Sequence, residues 1–477
     1  RSSRRAADAF EETIGRAPWE AGIERELAPV MNFQRTRSAV AALLAAFSLS
    51  VAPAASTAVA SGGAAKSPRE VSSMMNVVAE AYVKLALALG EHEPAYIDAY
   101  FGPGEWREEA RREGKSLESI ERRAAAELAK LASIDVSGGG DVVRLRKRFL
   151  ERHLESLAAR SRLLRGERLP FDEESLAIYD AVAPPYDEAE GIEARARLEA
   201  IVPPGEGALL DRIERFQEQF VVPREKLDTI FAVAIAEART RTRRWLELPD
   251  GESFTVSLVT NKSWGAYNWY QGGCRSIIEV NTDLPTYIDS PVGLAAHEGY
   301  PGHHAYNVLL ETHLLKGRGW TEFCVGPLHC PQSPISEGTA NYGVDLIFPR
   351  DERVAFERDV LFPLAGLDAS QAELYYEIRE LRRTLRRAQN EAARRYLDGA
   401  MTAEETAAWL SERALLSRER AAKLVAFMDE FRSYIINYTV GYELVKNYVE
   451  RRSRTPEERW RLFGELLSTP QVPMNLK

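Results

Sequence analysis

The chain has 477 residues, 45% hydrophobic and 28% charged, with 31 Gly and 24 Pro, which is ample length and apolar content for a large packed core. Its formal net charge of −9 and pI near 5.6 give no electrostatic basis for binding nucleic acid or an anionic membrane surface. The basic run RELRRTLRRAQNEAARR (379–395) is interleaved with Glu and small residues and reads as the wet face of a long helix.

From the N-terminus, residues 1–30 read as an over-extended or non-native segment ahead of Met31. Arg35 and Arg37 precede an apolar run from about Ala39 to Val51, and Ala58-Val59-Ala60 supplies a small-residue cleavage pattern. Residues 31–60 are therefore expected to be a secretory signal peptide cleaved near Ala60, with a linker at 61–68. The mature protein is expected to be exported, periplasmic or extracellular. No later stretch reads as long and apolar enough to span a bilayer, so no stable membrane insertion is expected. In an oxidising compartment Cys324 and Cys330 are the expected disulfide, with three buried thiols (Cys274 included) as the alternative.

Apolar residues at three-four spacing predict helices over 70–90, 116–134, 141–166 and 222–249, with breaks at 182–191 and 202–207. This stretch, 69–249, forms an N-terminal helical region. Period-two, β-branched runs at 252–260 and 275–282 predict strands flanking the aromatic turn WGAYNWYQGGC (264–274). Helices are then expected from 291, at 333–348, at 366–399, and near 403–412, 417–430, 437–450 and 456–467. The expected fold is mainly α, with one small sheet beside the site and residues 250–477 as the catalytic region.

Seven histidines occur and five lie between 297 and 329, which points to the stretch AHEGYPGHH as a candidate metal site. Zinc peptidases write H-E-x-x-H on one helix face, but here Pro301 takes the fifth position. In a regular helix His303 would lie about 9 Å along the axis and roughly 240° round from His297, and His304 about 10.5 Å away. Neither could share an ion at bond lengths of about 2.0–2.1 Å. Pro301 lacks the N–H that the His297 carbonyl needs, and Gly302 permits unusual backbone angles, so a kink or bulge there would absorb about two residues. That returns His303 to the ligand position, or His304 if three residues loop out. Glu337 in SEGTANY is the expected third ligand, Asn341 or Asp345 the group bonding a ligand imidazole, and Glu298 the general base.

HEGYPGHH followed by SEGTANY and then RSYIINYTVGYELV (432–445) resembles a bacterial domain-of-unknown-function family of predicted zinc peptidases, over roughly residues 250–450. DGAMTAEETAAWL (398–410) is similar to its C-terminal half. That family is distantly similar to helical Glu-zincins of the thimet oligopeptidase and thermostable carboxypeptidase type. The resemblance implies a two-lobed helical fold enclosing a cleft, Zn²⁺ held by His297, one of His303 and His304, and Glu337, and Glu298 as base.

Further expectations attach to this reading. Ile278, Val280 and Asn281 lie on a strand just before the metal helix, where an edge strand would pair with extended substrate. Tyr438 and, after it, Tyr442 are candidate phenols for the scissile carbonyl, and Arg432 for a substrate carboxylate. The expected activity is hydrolysis of short peptides. The rival readings are a non-catalytic metal- or peptide-binding envelope protein and a metal-dependent amidase for a small non-peptide amide.

Overall fold

A computed structural model describes residues 68–262 and 264–477, so the predicted leader and the linker to residue 67 lie outside the described residues. The described residues belong to one compact unit. Its elements begin with α1 (Pro68–Gly90), β1 (Ile97–Tyr100), α2 (Gly104–Glu113), α3 (Leu117–Ala132), α4 (Asp141–Leu164), α5 (Phe171–Tyr179), α6 (Glu188–Ile201), α7 (Leu209–Glu218) and α8 (Leu227–Thr242). Strands β2 (Ser253–Val259), β3 (Ala266–Gly272) and β4 (Arg275–Asn281) lead to α9 (Ser290–Leu294), α10 (His303–Leu310) and β5 (Val325–Pro327). The remainder is helical: α11 (Ser333–Ile347), α12 (Arg350–Phe356), α13 (Phe362–Ala365), α14 (Ala372–Leu385), α15 (Ala388–Leu397), α16 (Ala403–Arg413), α17 (Arg418–Phe431), α18 (Ile436–Arg452) and α19 (Pro456–Ser468).

The fold is mainly α, as the three-four apolar spacing requires. The predicted helix at 366–399 is shorter and broken: Gly366 caps α13 in the left-handed conformation, and α14 and α15 are separated at Arg386-Arg387. Helices α2, α5, α6 and α7 occupy stretches left unassigned or read as breaks. Their ends are set by local chemistry, such as Asp187 accepting from the N–H groups of Ala189 and Glu190 at the start of α6.

Helix α4 organises the core because it reaches three buried clusters in turn. Phe149 joins the largest, Leu150, Leu154 and Leu157 pack with α1 and α3, and Ala159 and Leu163 pack with α5 and α15–α18. Near its start Arg146, 1% exposed, bonds Glu322 through Nε–Oε1 (2.6 Å) and Nη2–Oε2 (2.9 Å), while its guanidinium lies over Trp320. Residues Arg69–Gly90 prove long and apolar enough to cross a membrane by length and composition, a stretch the sequence expectation missed; 56% of the tested window is buried inside the protein.

The sheet corrects the substrate-strand expectation. Its order is β2-β4-β3, with β4 parallel to β2 and antiparallel to β3. β4 is thus central, and its backbone groups are taken on both sides. Ile278 and Val280 point into the core at 3% and 2% exposure, and Asn281 Nδ2 donates to the carbonyls of Lys262 and Trp264. These residues cannot pair with a peptide. The segment carrying β3 had been read as a turn.

Helices α11 and α18 touch backbone to backbone. A Cβ on Gly338 would stand 2.3 Å from the Gly441 carbonyl oxygen, and one on Gly441 would stand 2.2 Å from that of Pro334. Because the obstructing atoms are main chain, a methyl group must push the helices apart. Gly441→Ala is expected to lower unfolding free energy by about 1–3 kcal/mol, read from urea denaturation, the ordinary cost of overpacking.

Candidate metal centre

The HEGYPGHH stretch does not run as a continuous helix. After α9, Ala295–Gly299 form a wide π-type turn, Tyr300 is extended (φ −122°, ψ 115°), the Tyr300–Pro301 peptide is cis, and α10 starts at His303. The Tyr300 N–H donates to the Ala295 carbonyl and the Gly302 N–H to that of Ala296, both at 2.9 Å. Glycine is required at 302, because a Cβ would lie 1.8 Å from the His297 carbonyl oxygen. The backbone therefore bulges at Pro301-Gly302, as their chemistry predicts.

The bulge brings the rings of His297 and His303 to 4.7 Å between centroids at 87°. Helix α11 supplies Glu337. His297 Nε2 lies 3.5 Å from Glu337 Oε2, and His303 Nε2 lies 3.9 Å from Glu337 Oε1. Three ligands at zinc bond lengths of about 2.0–2.1 Å in tetrahedral array stand roughly 3.3 Å apart; here one ligand atom from each residue lies within 4.8 Å of the others, so a divalent ion would have to draw them together. Glu337 Oε2 is buried and has no hydrogen-bond partner, an arrangement that costs free energy unless a cation completes it. The three side chains are the one metal-compatible group of this kind among the described residues.

Surrounding groups fix the ligands. His303 Nδ1 meets Ser336 Oγ at 3.1 Å, Asn341 Nδ2 donates to the Glu337 carbonyl at 2.9 Å with its side chain beside His297, and the Tyr434 hydroxyl donates to Glu337 Oε1 at 3.2 Å. Tyr434 was missed, although it stands four residues before Tyr438. Glu298, 6% exposed, has its Oε1 4.0 Å from His297 Nε2, and its carbonyl accepts from Asn268 Nδ2 on β3 at 2.7 Å.

Burial dominates the electrostatics. It lowers His297 to about 4, so that the ring stays neutral and ready to ligate. It pushes Glu337 up to about 7 and Glu298 up to about 8, with the Glu337 and Asp98 carboxylates adding to the latter.

Tyr438 is 41% exposed, yet burial and the Glu337 and Glu298 carboxylates hold its phenol well above the usual value.

Other expected site residues belong elsewhere. His304 is fully buried; its Nδ1 meets Ser276 Oγ (2.8 Å) and its Nε2 meets Glu252 Oε2 (3.1 Å), so it is a satisfied core histidine. Burial pushes Glu252 up, but bonds from His304, Tyr300, Arg239 and Arg243 overcome it and hold the carboxyl at about 2. The Tyr442 hydroxyl donates to Asp345 (2.7 Å), which also accepts a bidentate pair from Arg383 (3.0 and 2.9 Å), so neither Tyr442 nor Asp345 serves the cluster. Arg432 is bound to buried Glu174 at 2.7 Å and is not free for a substrate carboxylate. Cys274, Cys324 and Cys330 are free buried thiols, and Cys330 Sγ points at the Pro327 carbonyl.

No known family profile matches the chain, and no curated protein matches it. Solved structures do. A presumed lipoprotein from Colwellia psychrerythraea is 16% identical at TM-score 0.46, covering 76% of this chain and 66% of that one. This chain therefore spans just under two thirds of that protein. The M32 carboxypeptidase from Deinococcus radiodurans R1 is 14% identical at TM-score 0.44, over 86% of this chain and 94% of that one. A presumed lipoprotein of unknown function from Shewanella oneidensis is 14% identical at 0.41, over 78% and 74%.

Two outcomes are expected. His303→Ala loses stoichiometric zinc by elemental analysis, whereas His304→Ala retains it and loses about 1–3 kcal/mol of stability by leaving Glu252 and Ser276 unpaired. Because Glu337 and Glu298 are raised in the metal-free protein and a cation binds the ionised forms, zinc affinity falls with pH. As pH falls it should drop up to about tenfold per unit between 8 and 7 and up to about a hundredfold per unit below 7, and it should be level above about 8. Calorimetry at pH 6.5 in buffers of different ionisation enthalpy reads the released protons.

Proposed function

We propose that the protein is a zinc-dependent metallopeptidase that hydrolyses short peptides, exported by virtue of the leader-like residues 31–60. The observation that carries this reading is the convergence of His297, His303 and Glu337, with the orphaned Glu337 oxygen, beside a buried carboxylate from the adjacent residue Glu298. When bound, zinc supplies a Lewis acid that polarises a carbonyl and acidifies water.

The remaining work falls to the chain. Glu298, flanked by His297 and fixed through its carbonyl by Asn268, takes a proton from the attacking water and returns it to the leaving amine. A carboxyl group whose pKa is pulled toward neutrality suits both transfers. Tyr434 holds Glu337 by its Oε1 and leaves Oε2 free for the ion. Tyr438 stays protonated because its pKa is raised, so its hydroxyl is available to donate to the oxygen that becomes negative in the transition state. The N–H and C=O groups along the outer edge of β3, beside Glu298, are the main-chain surface for an extended peptide, in place of β4.

Glu298→Gln is expected to keep zinc and to lose about 10²–10⁴-fold in kcat on a peptide library. Unchanged cleavage removes Glu298 from the role of base. A zinc-loaded wild type that turns over N-acyl amino acids but no peptide makes it an amidase. Turnover of no peptide, amide or ester leaves a metal- or peptide-binding protein.

A further inference from the structure

The strand β1 pairs antiparallel with β5, matching Ile97 with Pro327 and Ala99 with Gly326. Asp98 therefore has no partner across the ladder and is the residue of a β-bulge, a device that re-aims a side chain and recurs beside active sites. Its carboxylate accepts from the Tyr267 hydroxyl on β3, and among the described residues no other hydrogen bond or ion pair reaches it. Asn268, next along β3 and on the strand's other face, bonds the Glu298 carbonyl, and β3 packs against both β1 and the Ala295–Gly299 turn, so Asp98 is held one strand away from the turn that carries Glu298. The nearness is electrostatic as well: the Asp98 charge acts on both Glu298 and Glu337.

Charge balance at the cleft is then unusual. Asp98, Glu298 and Glu337 contribute three carboxylates, and among the described residues no Lys or Arg hydrogen-bonds or pairs with any of them. A divalent ion that holds Glu298 and Glu337 ionised offsets their two charges and leaves the Asp98 charge without a counter-ion. Beside Asp98, the Tyr267 ring lies 4.3 Å from that of Trp269, which is 36% exposed, giving an aromatic face of the kind that attracts cations.

We infer that Asp98, aimed by the β1 bulge and backed by the Tyr267–Trp269 face, holds a positively charged group of the substrate beside the scissile bond. Chemically this is an organic ammonium or guanidinium, either a free α-amino group or a Lys or Arg side chain. The inference rests on the peptidase reading, and Arg432 being bound to Glu174 agrees with a site built for a cation rather than for a carboxylate.

The test separates the two claims. Binding is read by calorimetry on zinc-loaded Glu298→Gln, and cleavage on the otherwise wild-type enzyme. The probes are a neutral-side-chain peptide with a free amino terminus, its N-acetylated form, and an N-acetylated form carrying one lysine. The charged peptides are expected to bind about 10- to 100-fold more tightly than the neutral one, the range of a charge-assisted hydrogen bond. Asp98→Asn should bring that ratio close to one. Preference for the free terminus alone, or for lysine alone, identifies the source of the cation.

Tyr267→Phe keeps the Asp98 charge and should retain the preference. Equal loss in both variants assigns Asp98 a structural role and overturns the inference. Equal binding of all three peptides by the parent overturns it too, while cleavage of all three leaves the peptidase reading standing. Selective binding without cleavage by the wild-type enzyme overturns the peptidase reading alone.

Discussion

The carbonyl oxygen of His297 lies so close to the Cα of Gly302 that a methyl group there would stand 1.8 Å away. That contact lets the chain turn back between two histidines that a straight helix would separate by about 9 Å. It also decides which histidine serves. With the bulge in place His303 meets His297, and His304, one residue further, enters the core against Ser276 and Glu252. A second close contact, Gly338 against Gly441, brings α11 to α18 and thereby places Glu337 under Tyr434. The ligand set is a consequence of two places where backbone touches backbone.

Burial sets the charge state of that set. Two neutral imidazoles and two carboxyls raised toward neutrality form a site that favours a divalent ion over protons as pH rises. The contrast with Glu252 is instructive. That carboxylate is also buried, yet four donors hold it ionised at about 2, and it anchors structure. Glu337 has one donor and an oxygen left bare. The difference between a structural acid and a ligating one lies in how many hydrogen bonds the protein gives it.

The helical class, the strand pair around 252–282, and the break at Pro301-Gly302 were legible because each follows from local chemistry: three-four spacing, β-branched alternation, a missing N–H. The grouping of His297 with His303 was legible from that break, and Glu337 from the small-residue helix SEGTANY. Tertiary arrangement was not. Nothing local says that β4 lies between β2 and β3, so the strand just before the metal helix reads as the edge. Tyr442 and Arg432 were chosen by residue type, and distant acids, Asp345 and Glu174, hold them instead. Tyr434 was within reach, since i,i+4 spacing with Tyr438 sets both phenols on one face.

Asp98 marks the limit of sequence reading, because it stands roughly two hundred residues from the cluster and no motif surrounds it. Its place follows from β1 pairing with β5, just ahead of the helix carrying Glu337, while Tyr267 reaches it from β3. The N-terminal part of the chain thus contributes a charge to a centre whose metal ligands all come from the C-terminal part. Ligands are set by a short bulged segment and one helix crossing, both local constraints. The position of the Asp98 charge is set by how distant strands meet, so β1 can vary without disturbing the bulge that brings His297 to His303.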